Sequence, residues 1–87
     1  MNSLVHKVNI GIDGIQRSAE IDKRISQNFA SVFSTPSGQE VLRYLRSMTI
    51  EMVNGPAVSA TELMHMEGQR YLVGLVERRI AHGHASK

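Results

Sequence analysis

Four histidines, eight acidic residues and no cysteine bound the chemistry this chain could attempt. His82-Gly83-His84 offers two imidazoles to a metal, but a zinc site takes three or four protein ligands. No further histidine or carboxylate falls at helical spacing beside the pair, and His65 lies well away on a helix. The segment reads as a solvated tail. Nucleophilic catalysis needs a hydroxyl activated by a positioned base, and Ser34, Thr35, Ser37 and Ser59 all fit turns or helix caps better. Glu62, Glu67 and Glu77 can each meet a basic residue or water on a helix surface. Gly11, Gly14 and Gly38 lack the lysine and the strand–loop–helix setting of a phosphate loop. The expectation is no catalytic residue, no metal and no cofactor, hence no enzyme.

Glu67-Gly68-Gln69-Arg70 is harder to dismiss. Glycine inside a helix costs ~1 kcal/mol relative to alanine, so Gly68 invites a compensating gain such as close approach of another backbone. Arg70 falls on an apolar stripe, where a guanidinium needs a carboxylate or several carbonyls. Two readings stand: tight packing with a polar bond inside the monomer, or docking on a partner.

The elements that position these residues follow from periodicity. Val8, Ile10 and Ile12 alternate, which predicts a short extended segment. No second strand is evident, so residues 1–12 form either a loose tail or an arm that pairs with a neighbour. A first helix starts near Asp13, paired with Gln16 as a cap, or alternatively at Ser18. Ile21, Ile25, Phe29, Val32 and Phe33 line one face of it. Thr35 caps a second helix with Pro36 in its first turn. Its stripe runs from Val41 to Met52 and stops at Asn54-Gly55-Pro56. Ser59 and Glu62 form a capping box for a third helix, which ends at Gly83, with residues 84–87 as a flexible tail. The fold class is all-α: a three-helix domain over residues 13–83 with an extended N-terminal arm. Its expected core is Ile21, Ile25, Phe29, Phe33, Val41, Leu45, Leu72, Val73 and Val76.

Eighty-seven residues make one small domain, and chains of this size bury too little surface to be generously stable. With no disulfide available, helix packing and association with other copies or a larger assembly remain. The net charge of +2 is spread along the chain instead of forming the basic face of a nucleic-acid binder. No apolar run reaches the ~20 residues of a membrane span, and no signal peptide is evident. A helix-turn-helix is disfavoured, because the 54–58 connector exceeds the usual turn and the third helix opens with Leu63-Met64-His65-Met66. No specific nucleic acid and no membrane are expected as partners.

Phe29, Val32-Phe33, Thr35-Pro36, Gly38-Gln39, Val41-Leu42 and Leu45, followed by Glu67-Gly68-Gln69-Arg70 and Leu72-Val73, together resemble a small domain of tailed bacteriophages and prophages. The family's type member comes from a Bordetella phage. The likeness spans roughly residues 25–80. It implies a protein encoded among virion morphogenesis genes, near portal and head–tail components, without established catalytic activity. On that basis the chain is expected to be a structural virion component at or near the portal and tail, present in several copies and contacting other virion proteins. A non-virion assembly or packaging accessory is the alternative, and a small DNA-binding regulator a more distant one. Candidate partner contacts are Val8, Ile10 and Ile12 of the arm, and Gly38, Gln39, Gly68, Gln69 and Arg70 of the motifs.

Overall fold

Ser18 ends a strand and starts a helix. The structure, a computed structural model, describes residues 8–85. Strand β1 (Val8–Ile10) pairs antiparallel with β2 (Gln16–Ser18), and three helices follow: α1 (Ala19–Phe33), α2 (Pro36–Met48) and α3 (Ala60–Ala85). Val8 faces Ser18, Asn9 faces Arg17 and Ile10 faces Gln16. The extended segment therefore has a partner strand within its own chain, which corrects the reading of 8–12 as part of a free arm. Residues 1–7 of that arm lie outside the described residues.

The hairpin forms because Gly14 takes φ 84°, a conformation open to glycine at little cost. Asp13 accepts the Ile15 N–H through Oδ1 at 3.1 Å, so it shapes the turn and does not start a helix. The helix cap is Ser18, the alternative site: its backbone is extended, and its Oγ accepts the Ile21 N–H at 3.2 Å. Glu20 and Asp22 in the first turn complement the helix dipole.

Thr35 caps α2 as expected, its Oγ1 accepting the Gly38 N–H at 2.9 Å. The α1–α2 turn is tight, since a Cβ on Gly38 would strike the Val32 carbonyl. Helix α2 stops at Met48, ahead of the Asn54-Gly55-Pro56 terminator. Thr49 leaves the helical region (φ −130°, ψ −80°), and the Arg46 carbonyl accepts both the Thr49 and Glu51 N–H groups, at 3.2 and 3.0 Å. The capping box of α3 is reciprocal: Ser59 N–H donates to Glu62 at 3.0 Å, and Glu62 N–H donates to Ser59 Oγ at 3.1 Å. Helix α3 continues through Gly83 to Ala85 over 26 residues. Gly83 is thus interior and not a terminator, and His84 is helical and not part of a tail; Ser86 and Lys87 lie outside the described residues.

The fold is predominantly α. The main interface lies between α1 and α3, while α2 has no comparable interface with α3. Little is enclosed: among the described residues only Ala30 and Val73 are buried hydrophobics. Of the expected core, Val73 is buried, whereas Ile25, Phe29, Phe33, Leu45 and Val76 are half-buried. Ile21, Val41 and Leu72 are exposed, which corrects their assignment. Val41 is open because α2 has no comparable interface with α3, and for Ile21 the cause is rotation of α1. Its buried positions are Asp22, Ser26 and Ala30, one per turn, and at 3.6 residues per turn the apolar stripe lies roughly a quarter turn away.

Candidate functional site

The α1–α3 seam is polar, and it is built around Arg79. This residue is only 3% exposed, so its charge needs partners. Nη1 donates to the Asp22 carbonyl at 3.0 Å and to Ser26 Oγ at 2.9 Å. Nη2 lies 2.8 Å from Asp22 Oδ1 and 3.4 Å from Asp13 Oδ2, near enough for ionic attraction though off the line of a good hydrogen bond. Arg17 joins from β2, with Nη1 and Nη2 each 2.8 Å from an Asp13 oxygen. Two arginines and two aspartates alternate, so the cluster is neutral overall.

Each element contributes for a local reason. The hairpin turn carries Asp13 and β2 carries Arg17 four residues on. Helix α1 carries Asp22 in its first turn and Ser26 one turn later, both on its inner face. Helix α3 returns Arg79 and His82, with Gly83 allowing the two backbones to close together. A Cβ there would collide with the Ser26 carbonyl and the Ala30 methyl.

The Arg17 hydrogen bond is the chief reason that Asp13 is held well below its ordinary value of 3.8; burial opposes this, and the Ile15 N–H and the charge of Arg79 assist. Asp13 in turn raises the Arg17 guanidinium. A carboxyl depressed on folding adds stability that is complete above its ordinary pKa and is lost as pH falls below it. Denaturant midpoints measured at falling pH should therefore drop below pH 3.8, and Asp13→Asn should flatten that slope. An equally steep slope in Asp13→Asn would assign the acid sensitivity to other groups.

His82 Nδ1 sits 2.8 Å from Ser26 Oγ, the spacing of a base and a nucleophile. Ser26, however, is 0% exposed and already accepts from Arg79. As arranged, the hydroxyl is closed to any substrate and serves the seam. No group of three or more His, Asp or Glu residues converges to hold a metal among the described residues. No helix among them is long and apolar enough to cross a membrane.

Helix α2 is tied down by ions as well. Arg46 pairs with Glu77 of α3 and with Glu51; Glu77 chiefly, and then Glu51, raise the Arg46 guanidinium. Arg70 clamps the connector after α2, donating to the Thr49 carbonyl at 3.1 Å, the Met52 carbonyl at 3.0 Å and Glu67 at 2.7 Å. This is the carbonyl-rich pairing that its place on the stripe demands, made within the chain.

The sequence-derived contact candidates do not form one site. Gly38 is buried in the α1–α2 turn, while Gln39 is exposed beside it, with Nε2 3.4 Å from the Ser34 carbonyl. Gly68 and Gln69 are exposed on α3, and no atom lies within 4 Å of a Cβ built on Gly68. Ile10 is exposed and Ile12 half-buried in the hairpin; of Val8, only the backbone pairing with Ser18 is described. The polar seam escaped sequence reading because Asp22 and Arg79 look like ordinary helix-surface charges. One signal was available: Asp22, Ser26 and Ala30 repeat every four residues beside the apolar stripe.

No curated protein and no solved structure matches the chain. A family model described as Bbp19-like phage protein matches residues 29–84, from the second half of α1 through nearly all of α3, with Arg79, His82 and Gly83 inside the match and Asp13, Arg17, Asp22 and Ser26 before it. The chain belongs to the Bbp19-like phage protein family.

Proposed function

We propose that this phage-associated protein is a structural component of the virion, a small helical subunit in several copies at or near the portal and head–tail region. One observation carries the reading: a chain of a phage family leaves about half of its described large apolar side chains open. Val53, Met64, Tyr44, Val32 and Leu72 are among those exposed, and a soluble protein that works alone rarely keeps such an amount of uncovered apolar surface. Other virion proteins, such as portal or tail components, would cover it. Methionines at 48, 52 and 64 suit that role, because an unbranched thioether adapts to irregular surfaces. Catalysis has no part in this reading, nor does any cofactor.

The test is direct. Particles purified through a density gradient and analysed by mass spectrometry should contain the chain in stoichiometric amounts. Abundance in infected cells with absence from mature particles would reject the virion reading in favour of an assembly or packaging accessory.

A further inference from the structure

Asn54-Gly55-Pro56 does not end α2, and its residues take no part in the polar seam or in the Arg70 clamp. They sit where the chain is held least. Arg70 fixes the connector at the Thr49 and Met52 carbonyls, and the Ser59–Glu62 box fixes it again at the start of α3. Between these ties, no hydrogen bond with any of the described residues engages residues 53–58. Asn54 is half-buried and Gly55 exposed, and no atom lies within 4 Å of a Cβ built on Gly55. A backbone so little tied opens and rearranges at low cost.

We propose that Asn54 is a site of spontaneous covalent modification, in which the Gly55 amide nitrogen attacks the Asn54 side-chain amide. The Gly55 N–H gives its proton to hydroxide, and the nitrogen bonds to Asn54 Cγ. The Cγ–Nδ2 bond then breaks, and Nδ2 leaves as ammonia after taking a proton from water. The product is a cyclic imide, which water opens. Cleavage of the ring nitrogen's bond to Cγ gives aspartate, and cleavage of its bond to the backbone carbonyl carbon gives isoaspartate. Either way the chain exchanges ammonia for water, with no other reactant. The attack needs a backbone turned so that the nitrogen meets Cγ, and glycine reaches such conformations with no Cβ in the way.

The structure separates this position from its rivals. Asn9 precedes Ile10 in β1, and Asn28 precedes Phe29 within α1, so each is followed by a bulky residue in regular structure. Asp13-Gly14 has a permissive glycine but is locked. The Gly14 N–H donates to the Gly11 carbonyl at 2.9 Å, while Arg17 and the Ile15 N–H hold the Asp13 carboxylate. Conversion at Asn54 replaces an amide by a carboxylate and so removes one unit from the net charge of +2. As isoaspartate it also adds a methylene to the backbone, in a span tied only at its ends. The chain thus carries a record of its age that its helices do not feel.

Peptide mapping by mass spectrometry tests this on the folded full chain, aged at body temperature in mildly acidic, neutral and mildly alkaline buffer. Aspartate and isoaspartate are expected to accumulate at residue 54, faster as pH rises because the attacking nitrogen must lose its proton. Asn9, Asn28 and Asp13 should stay unchanged, and circular dichroism of the aged protein should keep its helical signal. Asn54→Gln should abolish the products. Gly55→Val should slow them at least ~10-fold by crowding the nitrogen; Gly55 has no positive φ, so the variant folds. In urea Asn54 should convert about as fast as in the folded chain, whereas Asp13 should begin to isomerise once its ties are lost. Conversion of Asn54 in urea alone would show that the fold shields it and would overturn the proposal. So would isomerisation of Asp13 in the folded chain as fast as Asn54 converts.

Discussion

Arg79→Met is expected to lower the unfolding free energy by about 3–5 kcal/mol, the range seen when one partner of a buried ion pair is removed. The size follows from what is left behind. Asp22 loses its 2.8 Å guanidinium partner and is left with Arg17 at 3.5 Å, while Asp13 keeps its own pair with Arg17, and both Ser26 Oγ and the Asp22 carbonyl lose the Arg79 donor. Small domains hold only ~5–15 kcal/mol in total, so the variant should unfold at far lower denaturant. Arg79→Lys should recover only part of the loss, because an ammonium cannot span the carbonyl, the hydroxyl and the carboxylate with one planar fork. Adding Asp22→Asn to Arg79→Met should return some stability, since the stranded charge is gone. A loss below about 1 kcal/mol for Arg79→Met would mean that the cluster behaves as a hydrated surface pair.

The second large effect concerns two glycines of the same helix, with opposite signs. Gly83→Ala improves helix propensity by ~1 kcal/mol. The new methyl nevertheless meets the Ser26 carbonyl, which belongs to the α1 backbone and cannot swing aside. Overpacking of this kind costs ~1–3 kcal/mol, so a net loss is expected, and Gly83→Val should be worse. Gly68→Ala meets nothing within 4 Å and should stabilise the chain by roughly 0.5–1 kcal/mol. Paired denaturation curves decide both. If Gly68→Ala stabilises the isolated chain yet weakens its incorporation into particles, close approach at Gly68 belongs to a partner.

The helices were legible because their signals are local. Thr35-Pro36 and the Ser59–Glu62 box announce α2 and α3 within four residues of chain, and Ser18 could be named as an alternative cap. Strand β2 was not legible, since Gln16-Arg17-Ser18 has no apolar alternation and becomes a strand only because Gly14 turns the chain back. The end of α2 was misplaced for a related reason. Thr49 halts the helix, and Arg70 of α3 binds the carbonyls of Thr49 and Met52 beyond it. The site was the least legible part. Arg79 lies more than fifty positions from Asp13 and Asp22, and the four-residue repeat of Asp22, Ser26 and Ala30 is a faint local sign that α1 rests on the polar edge beside its stripe.

That polar edge has a consequence for register. Two greasy helices can slide along one another by a turn, 5.4 Å, and lose little. Arg79 meets two carboxylates, a hydroxyl and a carbonyl at one setting of α1 on α3, and a slip of one turn strands all of them. Few enclosed hydrocarbons hold this fold in shape, so the guanidinium acts as its locating pin, giving each molecule the same outline to offer its neighbours.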